Sequence, residues 1–347
     1  MSRLQKVLSA ILFLVSIPAA NSQVCQADSV IVTALDAHGA PIPNLTAASF
    51  RAVYKGQPLN ILSASFRQDP TVRIVVLLDT SMSMAGVGAQ GFEKWRIAHL
   101  AASEFIAATP PGARISLFTL SGKSSHAFQS AGGKQPIEDW LNSKEMLGTS
   151  SLKGRTALYR ALWQTLKGLE PTQPGDAIYV VTDGHDFVNG GSVSRVAAEL
   201  QSSGVRLYTF LLNDLVGSDV HTSMEGVVTS AARPRLGPGE LTDLVQGSGG
   251  LGFTWYPGDR SKTNLYQMTT TSFEYDANTL PAIRARTHAI ERAIDNFYIL
   301  GVSPPQRSAV AEAWKLEVVD ADGKKRKDVT LAYPGKLMDC SVALAQN

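Results

Sequence analysis

The chain has 347 residues, with 32 Lys and Arg against 30 Asp and Glu, 18% charged and 44% apolar residues, and two cysteines. That balance excludes a disordered, collagen-like or disulfide-framework chain, and the length allows about two domains with a substantial core. A formal charge of +2 argues against binding dominated by phosphate electrostatics, so nucleic acid is not an expected partner.

The chain opens on a leader. Arg3 and Lys6 precede an apolar stretch from Val7 to Ala20, and Ala20-Asn21-Ser22 offers small residues at a cleavage point. This predicts a secretory signal peptide over residues 1–22 and a secreted or periplasmic protein. The stretch is too short for a comfortable bilayer span, and Ser22-Gln23-Val24-Cys25 lacks the small residue usual before a lipidated cysteine. No later segment has 18 apolar residues in a row, so no membrane span is expected after cleavage, which also leaves the mature chain neutral. Cys25 and Cys340 stand near opposite ends. In an oxidising compartment they could pair and tie the termini together, or remain two thiols; the spacing decides neither.

Residues 23–68 read as short strands: Val30–Ala34, Phe50–Tyr54 and Asn60–Phe66, with a turn at Asp36-Ala37-His38-Gly39. This is too little chain to close a core alone. From residue 69 to 295 the pattern changes. Val72 to Leu78 is a nearly continuous apolar run ending in Asp79, as suits a strand buried on both faces of a parallel sheet. A helix over Trp95–Ala107, a strand over Arg114–Leu120, a helix over Thr156–Leu169 and a strand over Ala177–Thr182 follow. A helix over Ser194–Gln201, a strand over Val205–Leu212, a short helix over Leu241–Gln246, a strand over Gly252–Tyr256 and a last helix over Thr279–Ile294 complete the series. Trp95, Trp140 and Trp163 take apolar helix positions and read as core.

Alternating strands and helices predict an α/β fold with a doubly wound, mostly parallel sheet flanked by helices. Residues 213–239 are rich in Ser, Gly and Pro and read as a surface insertion. Strands return at Phe297–Val302, Trp314–Val319 and Asp328–Tyr333, and the basic run Lys324–Lys327 reads as a solvated hairpin turn after Gly323. Residues 23–68 and 296–340 are therefore expected to build one small β-sandwich with the α/β domain inserted in it, and 341–347 is a tail.

The chemistry concentrates in Asp79-Thr80-Ser81-Met82-Ser83, at the end of the first central strand, where open α/β sheets bind ligands. A carboxylate and two hydroxyls at alternate positions offer hard oxygen donors suited to Mg²⁺. Gly154-Arg155-Thr156, before a helix, and Thr182-Asp183-Gly184, after a buried strand, bring two more oxygens toward the same end. The plainer reading makes Asp79 and Asp183 strand-end caps and the serines a helix start. The candidate rim residues are Met84, Arg155, His185 and Asp186; His185 and Asp186 also read as ordinary loop polar groups and Met82 and Met84 as packing residues, while an exposed Met84 would touch a partner. No H-E-x-x-H, G-x-S-x-G or phosphate-loop pattern occurs, and His185 and Asp186 are the available bases for a hydrolase.

D-x-S-x-S with a later Thr in a Gly-x-Thr turn and an Asp in T-D-G resembles the von Willebrand factor A domain and its metal-ion-dependent adhesion site. The resemblance spans residues 70–295, and the flanks are similar to exported bacterial proteins of that type. It implies Ser81, Ser83 and Thr156 as direct metal ligands, with Asp79 and Asp183 acting mostly through water. The implied cation is Mg²⁺, with Mn²⁺ or Ca²⁺ as alternatives. The implied partner is a protein or matrix ligand presenting an Asp or Glu carboxylate. Two other functions remain open: an assembly scaffold whose metal site is structural or vestigial, and a metal-assisted hydrolase. The sequence is silent on oligomeric state.

Overall fold

The computed structural model describes residues 29–85, 92–121, 127–129, 133–188, 191–213, 237–255, 275–303 and 312–337. Residues 1–22, expected as a leader, Cys25, Cys340, residues 341–347 and nearly all of the segment 213–239 lie outside the described residues. The chain begins with β1 (Ser29–Leu35), β2 (Phe50–Tyr54) and β3 (Gln57–Gln68). Next come β4 (Arg73–Asp79), α1 (Phe92–Ala108), β5 (Arg114–Leu120), β6 (Ala127–Gln129), α2 (Gln135–Leu141), α3 (Lys144–Leu147) and α4 (Leu158–Gly168). Then follow β7 (Ala177–Thr182), α5 (Val193–Ser203), β8 (Arg206–Leu212), α6 (Pro238–Gly247), β9 (Gly252–Trp255) and α7 (Thr279–Asp295). Strands β10 (Asn296–Ser303), β11 (Glu312–Val318), β12 (Thr330–Ala332) and β13 (Lys336–Leu337) come last.

Strands β4 to β9 form one sheet in the order β6-β5-β4-β7-β8-β9, parallel except for the edge strand β6. The chain leaves β4 for β5 on one side and later returns to β7 on the other. That reversal opens a crevice at the carboxyl ends of β4 and β7. The apolar run of β4 divides between the two faces with the period of the pleat. Ile74, Val76 and Leu78 pack with Phe105, Ile290 and Ile294 under α1 and α7; Val75 and Leu77 pack with Leu158, Leu162 and Val196 under α4 and α5.

The flanking strands form one antiparallel sheet, β12-β1-β10-β3-β2-β11-β13, built from both ends of the chain. Its two edge strands are joined by Tyr333–Gly335, a link that reaches about 14 Å at most. Seven strands laid flat would hold their edges about 29 Å apart. The sheet therefore curls until its edges meet, so the two expected layers are one continuous sheet. It encloses its own core of Val32, Phe50, Leu59, Tyr298, Leu300 and Leu316. The basic run near residue 325 sits on an exposed turn, where Gly323 takes φ +74° and Arg326 pairs with Asp328.

The junction of the two sheets rests on Arg206. Its guanidinium is buried and donates to Ala293 O (2.9 Å), Ile294 O (2.6 Å), Gly175 O (3.2 Å) and Tyr208 Oη (2.7 Å), so a cation meets the carboxyl end of α7. Thr33 of β1 also donates to Ala293 O, at 3.1 Å. Arg206→Ala should cost about 3 kcal/mol in urea unfolding, because several buried carbonyls lose their donor together.

The same end of α7 carries two buried acids. Burial, reinforced by Asp295, pushes the Glu291 carboxyl up to about 7, and burial pushes Asp295 up to about 6. The folded chain thus keeps protons that the unfolded chain releases from about pH 4 upward. Their stabilising contribution is whole below about pH 4 and is lost as pH rises toward 7. Compared with wild type, Glu291→Gln/Asp295→Asn should lose less melting temperature between pH 4 and pH 7. Parallel curves would remove these acids from the linkage.

Candidate functional site

Asp79 and Thr182 close the neighbouring strands β4 and β7, which puts loop residues 80–85 and 183–188 side by side. Asp79 is fully buried. Its Oδ1 accepts the Ser81 N–H at 2.9 Å. Its Oδ2 accepts the Thr182 hydroxyl at 2.6 Å and the Thr156 hydroxyl at 3.4 Å. Ser81 Oγ lies 2.9 Å from Ser83 Oγ and accepts from Thr156 Oγ1 at 2.8 Å. Asp183 takes the His185 N–H at 3.2 Å and a hydrogen bond from the Ser83 side chain. All five positions singled out in the sequence therefore meet in one hydrogen-bonded group. Ser83 is half-buried and marks its mouth; the other four are buried.

Turn chemistry explains the convergence. Gly154 (φ +72°) and Gly184 (φ +79°) take left-handed conformations that a Cβ resists. A Cβ on Gly184 would also meet Leu211 Cδ1 at 2.9 Å and Pro238 Cα at 3.0 Å. Two backbone bonds, Met82 N–H to Gly154 O (3.2 Å) and Lys153 N–H to Thr80 O (2.9 Å), lace the first loop to the Thr156 loop.

The charges differ sharply between the two acids. Burial, with repulsion from Asp183, pushes the Asp79 carboxyl up to about 7 against the hydrogen bonds from Thr182 and Ser81. Burial works the same way on Asp183, but the Lys94 ammonium, helped by His185 and Ser83, outweighs it and holds that carboxyl below its ordinary value. Lys94 is itself buried and donates to Asp183 Oδ2 and to Ser83 O, each at 3.0 Å. The sequence reading missed it. Its one signal is position: Lys94 heads the stripe Ala98, Ala101, Ala102 and Phe105 on the buried side of α1.

The rim needs correcting. Met84 is wholly buried in the core and touches no solvent, because the 3₁₀ turn Met82–Ala85 points it inward. The exposed methionine is Met82, 55% exposed between the two serines. Asp186 is also buried: its oxygens accept the N–H groups of Tyr159 (3.1 Å) and Val188 (2.9 Å), so it holds the start of α4. Arg155 is exposed and His185 is partly so, against Phe187, and these two do line the mouth. Of the tryptophans, Trp95 is buried, while Trp140 and Trp163 pack partly buried against the core.

Among the described residues, no group of three or more His, Cys, Asp or Glu is placed to hold a metal. A cation here would rely on hydroxyls. Neighbouring ligands of an octahedral Mg²⁺ with bonds near 2.1 Å lie about 3.0 Å apart. The Ser81–Ser83 and Ser81–Thr156 spacings of 2.9 and 2.8 Å fit that figure.

Residues 74–234 match the family model of the von Willebrand factor type A domain. The α/β unit has the fold of a von Willebrand factor A domain. No curated protein matches the sequence. Among solved structures it is similar to an aerotolerance-related membrane protein from Bacteroides fragilis, at 17% identity and TM-score 0.42, over 65% of this chain and 98% of that one. It is also similar to proximal thread matrix protein 1 from the mussel byssus, at 15% identity and TM-score 0.41, over 70% and 50% of the two chains. A von Willebrand factor type A protein from Catenulispora acidiphila is 13% identical at TM-score 0.40, over 90% and 73%. Identities this low say nothing of a shared activity.

Thr182→Val keeps the shape of the A domain's strand end and removes the 2.6 Å bond to Asp79. It should cost about 1–3 kcal/mol in chemical unfolding, since a buried acid loses a donor. A loss within a few tenths of a kcal/mol would mean that Asp79 does not depend on Thr182.

Proposed function

We propose that this protein is an exported, metal-dependent binding protein whose A domain holds Mg²⁺ on Ser81, Ser83 and Thr156 and captures a carboxylate of a protein partner. The observation that carries the reading is the spacing of those three hydroxyls beside two acids already occupied by protein donors. Hydroxyl ligands leave the ion's charge largely unquenched, so an acidic oxygen from outside is the natural last ligand. Domains of this family commonly mediate protein interactions. Export rests on the leader-like residues 1–22. Among the described residues no helix is long and apolar enough to cross a membrane.

A second reading has one observation in its favour. The Lys94–Asp183 ion pair holds the loops together with protein groups alone, as an assembly scaffold with a vestigial site would need. The hydrolase alternative is weaker, because Asp186 is engaged at the start of α4 and His185 is left as the candidate base.

Calorimetry with MgCl2 separates these readings. Wild type should bind one Mg²⁺ per molecule, and Ser81→Ala and Ser83→Ala should weaken it at least about tenfold. Capture of a partner from a native envelope extract should need Mg²⁺ and fail in EDTA. Equal capture in EDTA, with no effect of Ser81→Ala, would favour the scaffold.

A further inference from the structure

Lys94 is an unusual residue to find at the head of a buried helix stripe. Its side chain is 1% exposed, and an apolar residue there would pack against Ala98 without a desolvated charge. Its ammonium donates to one oxygen of Asp183 at 3.0 Å and to the carbonyl of Ser83 at 3.0 Å. These two contacts are to residues of the cradle. The other oxygen of Asp183 accepts the His185 N–H.

The balance of charge in the cradle shows what this does. Asp79 and Asp183 together would neutralise a divalent cation. With Lys94 in place the loaded cradle keeps one positive charge. Among the described residues, the other charged or titratable groups around the mouth are Arg155, exposed, His185, whose Nδ1 lies 3.8 Å from Asp183 Oδ1, and behind it Asp186, buried against the N–H groups of Tyr159 and Val188. The positive charge that Lys94 adds at 3.0 Å from Asp183 in a desolvated pocket weakens retention of the metal and strengthens attraction for an incoming anion, compared with the same pocket without it.

We propose that Lys94 is a positioning residue that sets the selectivity of the cradle: by engaging Asp183 it lowers affinity for the metal and makes the loaded site take an ionised carboxylate in preference to a neutral carbonyl or hydroxyl oxygen. This rests on the metal-dependent reading above and deepens it. The partner group is thereby narrowed to an Asp or Glu side chain or a free terminal carboxylate, and an amide or a sugar hydroxyl is disfavoured.

The test uses the full-length protein with MgCl2 as the probe. Lys94→Met should bind Mg²⁺ at least about tenfold more tightly than wild type by calorimetry, because Asp183 is then left for the cation. Mg²⁺ should also raise its melting temperature more than it raises that of wild type. Lys94→Gln, which keeps a polar head, should behave alike if Lys94→Met folds poorly without metal. Adding Asp183→Asn to Lys94→Met should abolish the gain, which ties the effect to that carboxylate rather than to packing. In wild type saturated with Mg²⁺, a peptide ending in Glu should bind at least about tenfold more tightly than the same peptide ending in Gln with an amidated terminus, and the preference should shrink in Lys94→Met. If wild type binds Mg²⁺ and Lys94→Met binds it no more tightly, the role assigned to Lys94 is wrong while the metal site stands. If neither binds Mg²⁺, the metal reading fails and this inference with it. Binding by Lys94→Met alone would overturn both the metal-dependent reading and the selectivity assigned to Lys94, since the ammonium would then stand in place of the cation in wild type.

Discussion

Two carboxylates buried at the ends of adjacent parallel strands set the terms for this end of the molecule. Asp79 and Asp183 cannot stay desolvated without donors, and the hydrogen bonds around them account for nearly every notable residue nearby. Ser81 and Thr182 serve Asp79 from its own loop and from the next strand. Thr156 reaches it from the turn before α4. Lys94 and His185 serve Asp183. The hydroxyls come together because each answers the same electrostatic demand, and their mutual spacing follows from that.

The parallel sheet supplies the rigidity that such an arrangement needs. Strand β4 sits between two hydrogen-bonded neighbours and is apolar on both faces, so the position of Asp79 is fixed by packing over its whole length. The loops above it are free of that constraint and are held instead by the two backbone bonds between residues 80–82 and 153–154.

Much of this could be read from the sequence, and the misses have local physical causes. Continuous runs of apolar and aromatic residues such as Ile74–Leu78 and Ile178–Val181 declare buried parallel strands, and oxygen-bearing residues directly after them declare a site. Lys94 escaped because a lysine two residues into a helix ordinarily faces water. Met84 turns into the core and away from the rim because a 3₁₀ turn, and not an α-helical start, follows Ser81. Asp186 was read as rim because its partner, the Tyr159 N–H, lies 27 residues earlier, beyond any local pattern. The curl of the flanking sheet depends on strands of three and two residues, β12 and β13, too short to show periodicity.

The way the A domain joins the curled sheet has a mechanical consequence. Gln68 at the end of β3 pairs with Asn296 at the start of β10, and the Asp69 N–H donates to Asp295 O at 2.8 Å. The whole α/β unit thus occupies the place of a hairpin turn. Its entry and exit are pinned one strand spacing apart, about 5 Å. Tension applied to the unit would leave it through this rung of the ladder, loading β3 and β10 from their ends, and through the side bonds Thr33 to Ala293 O and Arg292 to Gly39 O. A short turn grafted in place of residues 69–295 would keep every strand of the curled sheet in sequence, which makes the unit exchangeable as a cassette.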